Sequence, residues 1–212
     1  VWIHGGGNTT GHKGAYNFTK FIATQDVIVV TINYRLGPLG WLTHPSLQEG
    51  QAGLDATSNF GTLDIIEALK WVNNNIDQFG GDVENITVFG ESAGGHNVYT
   101  LLASPLAEGL FQRAISQSGY VELASLNEAF NEDTRFEYVT RSSDELFKAL
   151  GAKLETNGLR DLKASEIIEA YNDLPSIGFH PLTTADGVVL PEDNILDALS
   201  KSKSVKNVSV MA

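Results

Sequence analysis

Gly90-Glu91-Ser92-Ala93-Gly94 is a G-x-S-x-G pentapeptide in a chain of 212 residues. An apolar run, Ile86-Thr87-Val88-Phe89, precedes it, and a helix-compatible stretch from Gly95 to Ser104 follows. Strand, turn and helix in that order are what the motif needs to carry chemistry. The turn is then so tight that only glycine fits two residues either side of the serine. Ser92 is expected at its tip, strained, with its hydroxyl exposed above a sheet and a helix N-terminus beneath it. Such a pentapeptide is common by chance, and in isolation an ordinary loop serine is the better reading. A second element upstream changes that. His4-Gly5-Gly6-Gly7 comes directly after the apolar Val1-Trp2-Ile3. A glycine run at a strand end lets backbone N–H groups turn inward with no side chain in the way. Two such amides, with the amide after the nucleophile, make a hole for the negative oxygen of a tetrahedral acyl intermediate. The rival reading is a phosphate cradle, but neither G-x-x-x-x-G-K-[ST] nor a G-x-G-x-x-G followed by an acidic residue fits. Glycine loop and elbow together point to an ester-cleaving serine hydrolase.

A serine hydroxyl needs a histidine to take its proton and an acid to orient that histidine. On a sheet with this kind of elbow the chain order is serine, acid, histidine. His4, His12 and His44 precede the elbow, and His96 sits one helical turn behind Ser92, facing away from the hydroxyl. Only His180 follows at a distance. Each of the five reads better as structural or surface than as the base, His180 being the first to suspect otherwise. The sequence thus offers a nucleophile and an oxyanion hole without a clear acid and base, and it opens in mid-strand at Val1 and ends on a strand at Val208 to Ala212. The stretch is therefore read as cut from a longer domain.

The elements that must position these groups are short and β-branched. Strands are expected over Val1 to His4, Val27 to Tyr34, Ile86 to Gly90, Ala114 to Ser118 and Val208 to Ala212. Their nearly continuous apolar character suits a parallel sheet buried on both faces. A helix is expected over Leu63 to Phe79, where Ile65, Leu69, Val72, Ile76 and Phe79 share one face. Asp64 suits its N-terminus and Gly80 its stop. The helix after the elbow must end near Ser104, since Pro105 follows. From Tyr120 to Pro191 the chain is more polar. Ser142 with Glu145 reads as a capping box for a helix closed by Gly151, and Leu159 to Tyr171 as another helix. Residues 120–191 are thus expected as a helical insertion forming part of a pocket wall. Alternating strands and helices give an α/β architecture with its chemistry at the carboxyl ends of the strands.

Composition narrows the function. Asp plus Glu number 26 against 14 Lys plus Arg, a net charge of −12. That balance argues against nucleic acid and anionic membrane as partners. No apolar stretch approaches the ~20 residues of a membrane span. The absence of cysteine excludes disulfides and thiolate chemistry here, and favours a reducing compartment or a bacterial source.

The residues also resemble a family, the type-B carboxylesterases with their cholinesterase-like members, on the α/β-hydrolase fold. The resemblance runs through Val1 to Gly7, Asn33-Tyr34-Arg35-Leu36-Gly37-Pro38-Leu39-Gly40, Asn59 to Asp64, Ala68 to Val72, Phe79 to Asp82 and Phe89 to Gly95. It continues at Ser104-Pro105-Leu106, Gly109-Leu110-Phe111, Arg113 to Gly119 and Asp186-Gly187. It implies Ser92 as nucleophile, the amides of Gly6, Gly7 and Ala93 as oxyanion hole, and Glu91 as a member of a buried active-site network. It further implies a catalytic acid within a few residues after the strand Val208 to Ala212 and a histidine much further on, both beyond Ala212, with a small-molecule carboxylic ester as substrate and no metal or cofactor. Asn8, Ser58, Ile65, Pro38 and Trp41 depart from the family pattern, and bear on substrate preference. Two rivals remain. Hormone-sensitive-lipase-like esterases share the H-G-G-G loop but carry an aspartate before the serine, where this chain has Glu91. Neuroligin-like interaction proteins share the fold but have typically lost the nucleophile, which Ser92 retains.

Overall fold

The computed structural model describes residues 1–130, 143–151, 158–174 and 183–212. The strands are β1 Trp2–Ile3, β2 Thr87–Glu91, β3 Arg113–Gln117, β4 Ala124–Ser125, β5 Thr184–Ala185 and β6 Ser209–Met211. Four of them form a parallel sheet in the order β1-β2-β3-β6, and β4 pairs with β5 in a separate parallel ribbon. The register sets Ile3 beside Gly90 and Gly90 beside Ser116. Three neighbouring strands therefore end level, and the glycine loop, the elbow and the Ser118-Gly119 turn emerge side by side. Val27 to Tyr34 is not a full strand. It runs alongside β1 through the Trp2–Thr31 bridge and a hydrogen bond from Trp2 N to Val30 O of 2.8 Å.

The longer helices are α1 Phe60–Asn75, α2 Ala93–Ala103, α3 Ser143–Leu150, α4 Ala164–Asp173 and α5 Ile195–Lys201. α1 starts earlier than expected, after Asn59, so Asp64 lies beyond its first turn. Asp64 instead receives a forked pair of hydrogen bonds from the Arg35 guanidinium, each 2.8 Å, and a third from the Arg35 amide. The helix passes into a 3-10 turn over Ile76–Phe79, and Gly80 stops it in the left-handed conformation with φ 81°. Ile65, Ile66, Leu69 and Val72 face the core as their spacing dictates. Phe79 does not: it is 63% exposed, because the tighter 3-10 turn rotates it off that face. It lies against exposed Trp71, with ring centroids 6.0 Å apart.

α2 is buried on nearly every side, with only Tyr99 partly exposed. It packs between β2, β3, α1 and α5, and with Ile3, Val88 and Ala114 it forms the centre of the main core. A smaller core unites Leu42 and Leu47 with Leu146, Phe147 and Leu150 of α3 and Ile167 of α4. The helix expected over Leu159 to Tyr171 is split: Leu159–Asp161 is a 3-10 turn, Leu162 and Lys163 are extended, and α4 begins at Ala164, while α3 and α4 close their own apolar cluster. Ser142, the expected cap of α3, lies outside the described residues, as does His180. Gly151 does close α3, its amide donating to Phe147 O at 3.0 Å.

Candidate active site

Ser92 lies between the end of β2 and the start of α2 with φ 57° and ψ −120°. A non-glycine residue holds such a conformation only when its surroundings over-determine it. Here two backbone hydrogen bonds do so: Ser92 N donates to Gln117 O at 2.8 Å, and His96 N donates back to Ser92 O at 2.9 Å. The flanking glycines are there because backbone passes too close for a side chain. A Cβ on Gly94 would stand 2.1 Å from Ile3 O, and one on Gly90 would stand 2.5 Å from Gly94 C. Gly95 meets the next strand's turn in the same way, 2.8 Å from Gln117 O.

The glycine loop lies directly against this elbow. A Cβ on Gly5 would fall 2.6 Å from Glu91 O and 3.2 Å from Ser92 Cβ. Gly6 follows with φ 110° and Gly7 with φ 62°, and Thr9 N and Thr10 N both donate to Gly6 O. Among the described residues, the amides of Gly6, Gly7 and Ala93 have no hydrogen-bond acceptor. Free donors on a tight turn beside a half-buried serine can bind an oxygen that gains negative charge. Ser92 and Glu91 are half-buried, Ala93 is buried and Gly6 is exposed.

Glu91 is not in a fully buried network. Its carboxylate is half-buried and accepts from the Tyr16 hydroxyl at 3.3 Å. Burial first, and then the nearby Glu91 charge and its hydrogen bond, raise the Tyr16 pKa. No sequence signal pointed to Tyr16, which reaches Glu91 from 75 residues upstream.

The four described histidines are engaged elsewhere. His4 Nδ1 meets Gly5 O at 2.8 Å, and its ring stacks on Tyr34 with centroids 4.4 Å apart. Tyr34 Oη donates to His4 O, so this pair braces the start of the glycine loop. Burial lowers the His4 pKa and pushes the Tyr34 phenol up. His12 Nδ1 accepts from Gly14 N, and His44 Nδ1 pairs with Ser46 Oγ. His96 is fully buried with both ring nitrogens used. Nδ1 lies 2.9 Å from Tyr120 O, Nε2 pairs with Thr183 Oγ1, and the ring stacks on Tyr120. A carbonyl on one side fixes the tautomer: Nδ1–H donates and Nε2 accepts from the threonine. Burial lowers the His96 pKa to about 4.

The departures from the family pattern fall mostly in the core. Ile65 is fully buried, and Trp41 packs its ring over Gly61, where a Cβ would stand 2.3 Å away. Ser58 pairs with Thr184 Oγ1 inside a buried polar knot. At its centre one Asp186 oxygen accepts from the amides of Val188, Val189 and Leu190, and the other from Thr57 and Asn59. Asn8 is fully buried, with its Oδ1 turned to Asn97 of α2.

With this geometry, the chain can be set beside known proteins. The profile of the Carboxylesterase family matches residues 1–212. The chain belongs to that family. The para-nitrobenzyl esterase of Bacillus subtilis is 45% identical over 163 residues, covering 70% of the chain and 32% of that protein. Liver carboxylesterase B-1 of Rattus norvegicus is 37% identical over 209 residues, covering 91% of the chain and 35% of that protein. The chain thus spans about a third of the length of the curated relatives it matches. Among solved structures, a PNB esterase superposes with a TM-score of 0.79 at 32% identity, over 99% of the chain and 43% of the esterase. A carboxylesterase of Geobacillus stearothermophilus superposes with a TM-score of 0.79 at 34% identity, over 99% of the chain and 42% of that protein. The mostly parallel sheet with flanking helices is that of the α/β-hydrolase fold.

Proposed function

We propose that the gene product carrying these residues hydrolyses carboxylic esters through an acyl-Ser92 intermediate. Ser92 Oγ attacks the ester carbonyl while a histidine takes its proton. The carbonyl oxygen becomes an oxyanion, held by the amides of Gly6, Gly7 and Ala93. Collapse of the tetrahedral intermediate breaks the bond to the alcohol, which leaves with the proton returned by the histidine. Water then attacks the acyl-serine through the same steps and frees the acid. In this reading Glu91 belongs to the network beside the site, tied to Tyr16. The histidine and its orienting acid come from outside the described residues, and the 120–191 helices build one wall of the pocket.

One observation carries the reading: Ser92 is held at φ 57° on the elbow, with the Gly5 backbone packed against it. An interaction protein has no use for that strain, and Glu91 in place of aspartate disfavours the hormone-sensitive-lipase-like alternative. No step calls for a metal or cofactor. One relative is named a para-nitrobenzyl esterase, so p-nitrobenzyl or p-nitrophenyl esters serve as first test compounds. Ser92→Ala should abolish turnover of such an ester while leaving the melting temperature within a few degrees. Turnover at the parent rate by the alanine variant would reject the assignment.

A further inference from the structure

The glycine loop has to be held in register with α2, because two of its amides and the amide of Ala93 must converge on one oxygen atom. Its entry is braced by His4 and Tyr34. Its exit is Asn8, which takes φ 56° and is 0% exposed. Three elements meet there. The Asn8 carbonyl accepts from Gly37 N at 2.7 Å, and Asn8 Oδ1 accepts from Asn97 Nδ2 at 3.0 Å. Asn97 lies on α2, five residues after the nucleophile, and is itself 0% exposed. The hydrogen bond therefore runs straight from the loop that bears Gly6 and Gly7 to the helix that bears Ala93.

This pair is an odd choice if it serves only to stabilise the fold. Among the described residues, Asn8 Nδ2 and Asn97 Oδ1 are both buried without a partner. Each such atom loses its hydration and regains nothing, and replacing a half-satisfied pair by apolar groups is typically neutral or stabilising. A hydrogen bond has something else to offer here, namely direction. Apolar packing lets a loop slide against a helix, whereas a 3.0 Å bond between two buried amides fixes one offset. An oxyanion hole depends on that offset, since its donors act only when aimed at where the charge develops.

We propose that Asn8 and Asn97 form a clasp that sets the glycine-loop amides against the Ala93 amide, making both positioning residues of the oxyanion hole. This rests on the Ser92 reading above. Being fully buried, neither side chain touches substrate, and both act through Gly6 and Gly7. Loss of the clasp should therefore lower kcat and leave KM nearly unchanged.

The test uses the gene product carrying residues 1–212, with Asn8→Gly, which keeps the left-handed backbone accessible, Asn97→Leu, which matches the asparagine in shape, and the double variant. Each single change should lower kcat for a p-nitrophenyl ester about 10- to 100-fold with KM within about threefold, the loss caused by a small misplacement of catalytic groups. The double variant should be no worse than the poorer single, since both remove the same bond. It should also melt no lower than the poorer single, having shed both unpaired atoms. Amide exchange at Thr9 and Thr10, which donate to Gly6 O, should quicken in both singles. Unchanged exchange there, kcat losses that multiply in the double variant, or a kcat that falls only as the melting temperature falls would each overturn the clasp. A parent that fails to label with a phosphonate would count against Ser92 itself, and the exchange data would still decide whether Asn97 orders the loop.

Discussion

Gly94→Ala is the smallest change that should disable the site, and its size can be worked from the backbone. The added methyl would stand 2.1 Å from Ile3 O and 2.9 Å from His4 O. Carbon and carbonyl oxygen do not settle closer than about 3.3 Å. The shortfall at Ile3 is roughly 1.2 Å, and both oxygens belong to backbone at the end of β1, which cannot swing aside. The first turn of α2 must therefore back away from β1 by about 1 Å, taking Ala93 N from the Gly6 and Gly7 amides. Overpacking of this kind costs roughly 1–3 kcal/mol. A misplacement of about 1 Å at a catalytic group costs on the order of 10²-fold in rate. Gly53→Ala is the control: Gly53 has φ 59° but nothing within 4 Å of its added Cβ, so it bears backbone strain without a clash. We expect kcat/KM for a p-nitrophenyl ester to fall about 100-fold in Gly94→Ala and by less than about threefold in Gly53→Ala. Melting should drop by a few degrees in both. Parent-like kcat/KM in Gly94→Ala would show that α2 and β1 do not need this contact, and the account of the elbow would be wrong.

Gly6→Ala meets Thr10 O at 2.3 Å and should lower kcat by about 10²–10³ with little change in KM, as for a lost oxyanion donor; a rise in KM alone would contradict the assignment. His96 has its native pKa lowered to about 4 from an ordinary 6.5, so the unfolded chain binds the extra proton first. Its contribution, roughly 3 kcal/mol, is complete above pH 6.5 and is lost as pH falls from there towards 4; melting curves of the parent and His96→Phe between pH 7 and 4.5 should converge, and parallel curves would refute this. Asp186→Ala strands three backbone amides and should cost roughly 3 kcal/mol or more, about 6–12 °C in melting temperature; a drop under 2 °C would show that the knot carries little. Residues 1–212 expressed alone should turn over no ester, since the four described histidines are engaged elsewhere; measurable turnover would point to His180 as the base.

What the sequence showed best was what a local pattern can encode. The elbow and the glycine loop were legible because each is a few adjacent residues whose types are set by backbone geometry at that spot. The helices over Phe60–Asn75 and Ala93–Ala103 followed from apolar spacing and from Pro105. What was missed depends on residues far apart. Asn59 and Thr184 exchange hydrogen bonds across 125 positions, and Asn8 reaches Asn97 across 89. No periodicity marks such partners, and an asparagine has the same letter in a turn as in a clasp. The departure at Asn8 was visible, but its direction was not. An amide beside the glycine loop reads as a substrate contact until the backbone, with φ 56°, turns it inward. Val27 to Tyr34 has the composition of a strand, yet ladder pairing needs a neighbour in register, and only Thr31 finds one, in Trp2.

The most direct test of the central claim is covalent. A fluorophosphonate reacts only with a serine that is both activated and faced by oxyanion donors. Intact mass followed by peptide mapping of the treated gene product should show one adduct, on Ser92, formed in step with the loss of esterase activity. An enzyme that loses its activity with the adduct on another residue, or stays active with Ser92 fully labelled, would contradict the account.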